Sequence, residues 1–160
     1  MTPEQIAALP YRRNVGIMLI DKRGYVFVGQ RRDNHSDAWQ MPQGGMDKGE
    51  SPEVSAAREL FEETGITLDM VTPIGEITEW LFYDFPPAYK GKKATKGWTG
   101  QRQRWFAFRF HGDETHVDLQ SHGPQEFSDW RWGELSKTPE LIVPFKRKVY
   151  ERLASEFERY

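Results

Sequence analysis

The order of the sequence patterns predicts a mixed α/β or α+β sandwich, in which helices pack against a sheet. Two strand patterns come first, a helix with clear end signals follows, and two further strand patterns precede an amphipathic helix at the end of the chain. The 160 residues, of which 38% are hydrophobic, can bury one core but are few for two. We therefore expect a single domain over residues 1–160.

The first pattern predicts a β-hairpin over residues 15–29. Residues 15–20 are apolar on both faces of a strand, which is typical of a buried strand. Residues 21–24, Asp-Lys-Arg-Gly, have the composition of a turn, and a second short strand follows over residues 25–29. We expect the two strands to lie side by side.

The next pattern predicts a helix, because both of its ends carry capping signals. Ser51 suits the N-cap, Pro52 suits the first helical position, and Glu53 lies near the positive end of the helix dipole. Gly65 is typical of the residue that ends a helix. Between the caps, an apolar stripe is available from Val54, Ala57, Leu60 and Phe61.

Two more strands and a helix are predicted in the second half of the chain. Residues 74–82 and 103–110 have strand patterns, and residues 86–100 between them are rich in Gly, Pro and Lys, which predicts a long mobile loop. Apolar side chains then recur every four residues near the end of the chain, which predicts an amphipathic helix. These side chains are Phe145, Val149, Leu153 and Phe157.

Composition excludes several classes of site. The chain has no cysteine, which excludes disulfides, thiolate metal sites and a cysteine nucleophile. It has no apolar stretch near the roughly 20 residues that span a membrane, and residues 1–10 do not resemble a secretory signal. We therefore expect a cytoplasmic protein with no membrane partner.

The charges are segregated along the chain. The 24 acidic and 22 basic residues give a net charge of −2, which by itself argues against a general nucleic-acid coat protein. However, acidic residues crowd into residues 44–79 and basic residues into residues 85–110. The blocks are either solvated surface or the two halves of a site that binds an anionic substrate.

The predicted helix carries a strip of carboxylates. Glu59, Glu62 and Glu63 stand at i, i+3 and i+4, so they share one face and repel one another, with Arg58 as the local cation. A glycine-rich segment, residues 43–50, leads into the helix and adds backbone carbonyls and another carboxylate. Oxygen ligands suit Mg²⁺ or Mn²⁺, and Mg²⁺ commonly shares its ligands with substrate phosphates. This context favours a metal site over a merely solvated acidic face.

Residues 44–66 carry a motif of a known family. They read Gly44, five residues, Glu50, seven residues, Arg-Glu-Leu, one residue, Glu-Glu, one residue and Gly-Ile. This resembles the Nudix box, Gx5Ex7REUxEExGU with U aliphatic, at every specified position. The resemblance implies an α/β/α sandwich with a central mixed sheet and helices on both sides. It also implies hydrolysis of a nucleoside diphosphate linked to another moiety.

The resemblance assigns roles to the box residues. It implies that Glu59, Glu62 and Glu63 are the catalytic and metal-binding carboxylates, with Glu59 or Glu63 orienting or deprotonating water. Two or more Mg²⁺ or Mn²⁺ ions would be held by these side chains and by a carbonyl near Gly44. Arg58 and Glu50 resemble the supporting pair of the box.

Segments outside the box resemble one branch of the family. Residues 11–16, 39–45, 83–86 and 100–106 are similar to bacterial RNA pyrophosphohydrolases and to plant-type asymmetric diadenosine tetraphosphate hydrolases. This resemblance implies that Glu126 is a further metal ligand. The substrate-binding candidates that it implies are Arg12, Arg32, Tyr83, Gln101, Gln103, Phe145 and Lys146.

The aromatic residues have two competing interpretations. Tyr83 and Phe145 are candidates for stacking on a base as well as for the core. We expect four tryptophans to pack in the core: Trp39, Trp105, Trp130 and Trp132.

The resemblance leaves three functions open. The first is metal-dependent removal of pyrophosphate from the 5′ end of triphosphorylated RNA, which leaves a 5′-monophosphate, with activity on dinucleoside polyphosphates as well. The second is asymmetric hydrolysis of diadenosine tetraphosphate to ATP and AMP, without a main role on RNA. The third, a non-catalytic nucleotide- or RNA-binding module, is disfavoured because every glutamate of the box is present. The expected partners are these substrates and not DNA, and no particular protein partner is predicted.

Overall fold

The computed structural model describes residues 2–7, 10–32, 38–88, 95–120, 123 and 125–160. Its helices are α1 (Pro3–Ala7), α2 (Pro52–Thr64), α3 (Thr138–Leu141) and α4 (Arg147–Glu156). Its strands are β1 (Tyr11–Ile20), β2 (Val26–Arg31), β3 (Trp39–Gln40), β4 (Gln43–Gly45), β5 (Val71–Asp84), β6 (Gly100–Phe110) and β7 (Phe127–Gly133).

The strands form one mixed sheet. Its main order is β3-β2-β1-β6-β5, with β4 paired to β1 and β7 paired to β2. Strands β1 and β6 run parallel along their length, with Tyr11 opposite Gly100 and Ile20 opposite Arg109. The other pairs are antiparallel. The mixed sheet that the Nudix resemblance implies is thus confirmed.

The hairpin of β1 and β2 is confirmed, but its strands separate soon after the turn. They pair at Ile20 and Val26, and the space between them is filled by β3, which pairs with β2, and by β4, which pairs with β1. The amide of Ile17 donates to the carbonyl oxygen of Pro42 at 2.8 Å. This pairing holds the glycine-rich segment against the middle of β1, directly before α2.

Buried side chains form two clusters, one on each face of the sheet. On one face, residues of β1, β5 and β6 pack against Ala56 and Leu60 of α2. On the other face, residues of the same strands pack against Val149, Tyr150 and Leu153 of α4. The sheet therefore lies between helices, as the α/β/α architecture requires.

Trp105 of β6 is the largest fully buried side chain among the described residues. Its ring lies against Gly16 on the neighbouring strand, where an added β-carbon would lie 2.4 Å from a ring atom. Glycine is therefore required at this crossing. The other three tryptophans expected in the core are partly buried and pack against the two clusters; they are Trp39, Trp130 and Trp132.

Several element boundaries differ from the sequence prediction. Strands β5 and β6 extend beyond the predicted residues 74–82 and 103–110, because their mutual pairing continues to Asp84 and Gly100. The last helix begins at Arg147, while Phe145 lies in a preceding 3-10 turn, Pro144–Lys146, and still packs against the α4-side cluster. Of the predicted loop over residues 86–100, residues 89–94 lie outside the described residues.

Within the described ranges, no helix has the length and apolar composition needed to cross a membrane.

Replacement of Ser51 by alanine should lower the free energy of unfolding by about 1 kcal/mol. The Ser51 hydroxyl accepts a hydrogen bond from the amide of Val54 at 3.2 Å, which satisfies one of the open amides at the start of α2. Urea denaturation measures the change. Ser136→Ala, at an exposed position in a 3-10 turn without a side-chain cap, is the matched control and should change stability by less than about 0.5 kcal/mol.

Candidate active site

A cavity of about 540 Å³ opens where α2, β4 and the 3-10 turn Pro144–Lys146 meet the strands β1, β5 and β6. Ten of the site residues expected from the sequence line it: Arg12, Gly44, Glu59, Glu62, Glu63, Tyr83, Gln101, Glu126, Phe145 and Lys146. The wall also contains residues that were not expected to form the site: Asn14, Arg31, Gln43, Gly45, Phe85 and Gly123.

One wall of the cavity is acidic. The side chains of Glu59 and Glu63 project from α2 and are buried, with 8% and 5% of their surface exposed. Burial raises the pKa of Glu59 to about 7 although Arg58 opposes this shift, and it raises the pKa of Glu63 well above its ordinary value. The charge of Glu126 adds to both shifts. Negative charge is therefore concentrated here at a free-energy cost.

The donor groups of this wall fit a hard divalent cation. An added β-carbon at Gly44 would lie 2.0 Å from Cδ of Glu59, so glycine is needed for the backbone to lie against this carboxylate. Within the described ranges, no three His, Asp or Glu side chains lie close enough together to hold a metal ion. Because like charges repel, the carboxylates stay apart by themselves. A divalent cation would supply the positive charge that allows them to share one centre.

Arg58 holds the acidic helix and the glycine-rich segment together. Its Nε and Nη2 atoms donate to both carboxylate oxygens of Glu50, at 2.8 and 2.9 Å. Nη2 also donates to the carbonyl oxygen of Gly45 at 2.9 Å, and Nη1 donates to Glu59 at 2.8 Å and to Glu62 at 3.1 Å. Arg58 and Glu50 are outside the cavity wall, beneath the carboxylates that line it.

Another part of the wall is basic. Arg12, Arg31 and Lys146 all line the cavity. Lys146 is buried, and burial, together with the charge of Arg31, lowers its pKa to about 8. Nη2 of Arg31 lies 3.6 Å from Oε2 of Glu126, where the basic and acidic walls meet.

Aromatic rings complete the basic side of the cavity. Tyr83, Phe85 and Phe145 contact one another with ring centroids 5.6 to 6.5 Å apart. Lys146 Nζ lies 5.3 Å from the centroid of Tyr83 and 5.9 Å from that of Phe145. Tyr83 is buried and its hydroxyl donates to Gln101, whereas Phe85 and Phe145 are only half-buried. These two are the rings with surface available to a ligand.

Comparisons with known proteins show the family of the chain. The sequence profile of the NUDIX domain matches residues 10–153. The chain belongs to the Nudix family. It is 49% identical over 160 residues to the RNA pyrophosphohydrolase of Roseobacter denitrificans, covering 100% of this chain and 99% of that protein. It is 51% identical over 156 residues to the RNA pyrophosphohydrolase of Acidiphilium cryptum, covering 96% of this chain and 93% of that one.

Solved structures share the Nudix fold at low sequence identity. The C. elegans Ap4A hydrolase binary complex has a TM-score of 0.67 at 21% identity, covering 93% of this chain and 99% of that one. The E. coli dihydroneopterin triphosphate pyrophosphohydrolase has a TM-score of 0.68 at 19% identity, covering 91% and 98%. These two likenesses concern the fold.

Two substrate-binding candidates of the Nudix domain lie outside the cavity wall. Gln103 is 1% exposed and sits beneath the wall. Its Nε2 donates to Asn14 and to the side chain of Gln43, both at 2.8 Å, and its Oε1 accepts from the indole nitrogen of Trp105 at 3.1 Å. Since the amide of Gln43 donates to Glu63 at 3.0 Å, Gln103 supports a residue that contacts a box carboxylate.

Arg32 is the other candidate outside the wall. Its Nη1 donates to Gln125 at 3.2 Å, while the neighbouring Arg31 lines the cavity. The register of β2 against β7 shifts between Gln30 and Arg31 by one extra residue on β7, so the alternation along β2 is unbroken and puts Arg31 on the same face as Phe27. The doublet of arginines was the available sequence signal, but which of the two faces the cavity depends on the place of β2 in the sheet.

Replacement of Glu50 by glutamine should destabilise this Nudix fold in a pH-dependent way. The hydrogen bonds from Arg58, with that from Ser55, lower the pKa of Glu50 from 4.5 to about 2. Since the folded-state pKa is depressed, the stabilisation is complete above pH 4.5 and is lost as the pH falls toward 2. At pH 7 we expect a loss of about 2 kcal/mol, allowing for the solvent that reaches the pair.

Urea denaturation of the wild type and of Glu50→Gln between pH 3 and pH 7 measures this difference. Glu53→Gln, at an exposed position in the first turn of α2, is the control and should cost less than about 0.5 kcal/mol. A Glu50→Gln difference that is as large at pH 3 as at pH 7 would contradict the assignment.

Proposed function

We propose that this Nudix protein is a divalent-metal-dependent RNA pyrophosphohydrolase. It would cleave the anhydride between the α- and β-phosphates of triphosphorylated RNA, releasing pyrophosphate and leaving a 5′-monophosphate end. The observation that carries the proposal is that carboxylates of α2 line one cavity together with basic and aromatic side chains. The RNA pyrophosphohydrolases similar along the whole chain support the choice of substrate.

The charges of the cavity suit a polyphosphate. Three linked phosphates are strongly anionic, so Arg12, Arg31 and Lys146 would attract them and fix their position. The buried carboxylates would repel the same phosphates unless cations lie between the two. A triphosphate and its cations therefore neutralise both walls together.

The metal-binding residues in this proposal are the cavity carboxylates with one backbone carbonyl. They are Glu59, Glu62, Glu63, Glu126 and the carbonyl near Gly44, and we assign them two or more Mg²⁺ or Mn²⁺ ions. When bound, such ions polarise phosphate oxygens and lower the pKa of water.

Glu63 is the residue that we assign to the attacking water. The amide of Gln43 donates to its Oε2 at 3.0 Å, which fixes the plane of the carboxylate. Oε1 would then accept a hydrogen bond from the water and orient it toward the phosphorus atom. Glu59 is held from the side by Arg58, which would limit its role to metal binding.

The aromatic wall would hold the first base. Phe85 and Phe145 lie next to the basic wall and keep part of their rings exposed. A base stacked on an aromatic ring contributes about 1 to 3 kcal/mol with little dependence on sequence. Lys146 Nζ lies 5.9 Å from the ring centroid of Phe145, and the charge of Glu63 acts on it, so a phosphate that follows the base would meet Lys146.

A second candidate function uses the same groups. In diadenosine tetraphosphate, one adenine would stack on the aromatic wall while the phosphate chain crosses to the carboxylates, and hydrolysis would give ATP and AMP. The cavity places its cations and half-buried rings beside each other and so favours this substrate as well. We expect it as a secondary activity of one site. A cytoplasmic location would give the enzyme access to both substrates.

Kinetics with triphosphorylated RNA and with diadenosine tetraphosphate at the same Mg²⁺ concentration test the proposal. We expect kcat/KM to be higher for the RNA, with pyrophosphate as the product. Glu63→Gln should lower kcat by at least about 100-fold, since glutamine cannot accept a proton from water. Its side-chain oxygen can still accept from the amide of Gln43, so the fold should be retained.

Glu53→Gln, on the same helix but outside the cavity, should keep the wild-type kcat. A higher kcat/KM for diadenosine tetraphosphate would make the second candidate the main function. Metal binding without release of any phosphate product from either substrate would instead indicate a non-catalytic module. A folded Glu63→Gln variant with full activity would contradict the role of Glu63.

Replacement of Gly44 by alanine should lower kcat by about 100-fold and raise the Mg²⁺ concentration needed for half-maximal rate. The added β-carbon would lie 2.0 Å from Cδ of Glu59, so the carboxylate must move. A shift of about 1 Å in such a group is enough for a loss of this size.

Gly45→Ala is the matched control for Gly44→Ala. Its β-carbon would meet the guanidinium of Arg12, at 2.1 Å from Nη2, but Arg12 is exposed and can move away. Gly45→Ala should therefore raise KM a few-fold and leave kcat and the Mg²⁺ dependence near wild type. Unchanged kcat and Mg²⁺ dependence in Gly44→Ala would remove Gly44 from the proposed metal site.

A further inference from the structure

A chain of hydrogen bonds runs from the core to the cavity through three side-chain amides. The indole nitrogen of Trp105 donates to Oε1 of Gln103 at 3.1 Å. Nε2 of Gln103 donates in turn to Oδ1 of Asn14 and to Oε1 of Gln43, both at 2.8 Å. Trp105 and Gln103 are buried, whereas Asn14 and Gln43 line the cavity. The core is thus connected to two amides that belong to the site.

The direction of every amide in this chain is set by Trp105. An indole nitrogen can only donate, so the atom of Gln103 that faces it must be the oxygen. The NH2 group of Gln103 has two hydrogens, and each is used once, on Asn14 and on Gln43. If either of these two amides were turned over, its NH2 group would face that of Gln103. Such unpaired donors are costly away from water.

The NH2 groups of Asn14 and Gln43 consequently face away from Gln103. Neither group has an acceptor among the described residues. Asn14 is only 1% exposed, so its NH2 group is shielded from bulk water. The two groups are neighbours, because the oxygens of both amides bond to the same nitrogen atom. A buried amide that is held at its oxygen and open at its nitrogen is ready to donate to an oxygen atom of a ligand.

The two NH2 groups lie beside the carboxylate that we assign to the attacking water. The backbone amide of Gln43 donates to Oε2 of Glu63 at 3.0 Å. Asn14 pairs with Gly45 across β1 and β4, two residues along the strand from the pairing of Gln43. Both amides therefore stand next to the glycine-rich segment. An acceptor that both of them reach would lie close to the phosphorus atom that the water attacks.

The chemistry of these donors suits charge that develops during the reaction. The cations of the cavity, Arg12, Arg31 and Lys146, attract a polyphosphate before and during the reaction alike. Amides have no net charge, and their hydrogen bonds strengthen when the acceptor becomes more negative. In phosphoryl transfer, the equatorial oxygens of the transferred group carry negative charge in the transition state. Fixed donors directed at such oxygens stabilise the transition state more than the bound substrate.

We propose that Asn14 and Gln43 are a pair of catalytic hydrogen-bond donors to a non-bridging oxygen of the attacked phosphoryl group. Gln103 and Trp105 are then positioning residues that fix the direction of the pair. In the reaction, the water oxygen bonds to phosphorus, the proton of the water passes to Glu63, and the anhydride bond breaks with its electron pair going to the leaving phosphate. The two amides exchange no proton. This inference rests on the proposed function, and it applies to both RNA and diadenosine tetraphosphate as substrates.

The same substitution at three positions tests the proposal, because methionine is similar in length to glutamine but has no N–H donor. Gln43→Met removes a donor from the cavity and should lower kcat about 100-fold with little change of KM. Gln103→Met keeps both donors but frees their direction, so kcat should fall about tenfold. Gln30→Met, at a half-buried position of β2 that does not line the cavity, is the matched control and should keep the wild-type kcat.

Binding of imidodiphosphate with Mg²⁺ gives a readout that does not depend on turnover, because NH replaces the bridging oxygen of this phosphate compound. In ¹H–¹⁵N spectra of the wild type, the side-chain NH2 protons of Asn14 and Gln43 should move downfield on binding, as expected for hydrogen bonds to anionic oxygen. The NH2 protons of Gln5, on exposed α1, should not change. In Gln103→Met the downfield shift of Asn14 and Gln43 should be smaller.

Three results would overturn the inference: the wild-type kcat in a folded Gln43→Met variant, an equal loss of kcat in Gln43→Met and Gln30→Met, or no downfield shift of either NH2 group when imidodiphosphate binds. The titration uses the wild type, so it decides the matter even where a variant does not fold. Failure of the wild type to hydrolyse either substrate would refute the proposed function separately, and the titration would still show whether the two amides bind phosphate.

Discussion

The ion pair between Arg58 and Glu50 is the contact on which the site depends. It uses both oxygens of the Glu50 carboxylate, and the same guanidinium also binds the carbonyl of Gly45 and the carboxylate of Glu59. One side chain thus joins the glycine-rich segment to the acidic helix. Bidentate pairs of this kind combine strength with fixed geometry. The close contact between Gly44 and Glu59 follows from it, because Arg58 binds both the carboxylate of Glu59 and the carbonyl of Gly45, the residue directly after Gly44.

A second support reaches the glycine-rich segment from the opposite side of the sheet. The amide of Met41 donates to the hydroxyl of Tyr150 on α4 at 2.9 Å, within the buried cluster on that face. Two residues later, Gln43 is held through its side chain by Gln103 and donates its amide to Glu63. Both α2 and α4 therefore position the glycine-rich segment. Hydrogen bonds connect the buried core at Tyr150 to this segment, and the segment in turn to the carboxylate of Glu63. Buried polar networks are rigid when their members are satisfied.

The electrostatics of the cavity follow from the burial of several of its charged groups. Burial raises the pKa of Glu59 and Glu63 and lowers the pKa of Lys146, because a charge of either sign is disfavoured away from water. The two walls neutralise each other only in part, since Arg31 lies 3.6 Å from Glu126 while the pKa values of Glu59 and Glu63 stay raised. The buried charges therefore carry a free-energy cost, which a bound polyphosphate with its cations would lower. Strongly shifted groups that converge in one cleft are characteristic of functional sites.

The sequence by itself determined what depends on residues within one helical turn or one loop. The caps and length of α2 and the face shared by its three glutamates follow from local spacing, and the structure agrees. Tertiary structure decided what depends on strand pairing. The place of β2 in the sheet brings Arg31 rather than Arg32 to the cavity, and alternation along the largely buried strand β6 turns Gln103 inward. Periodicity identifies the faces of a strand, but only its neighbours decide which face meets the site.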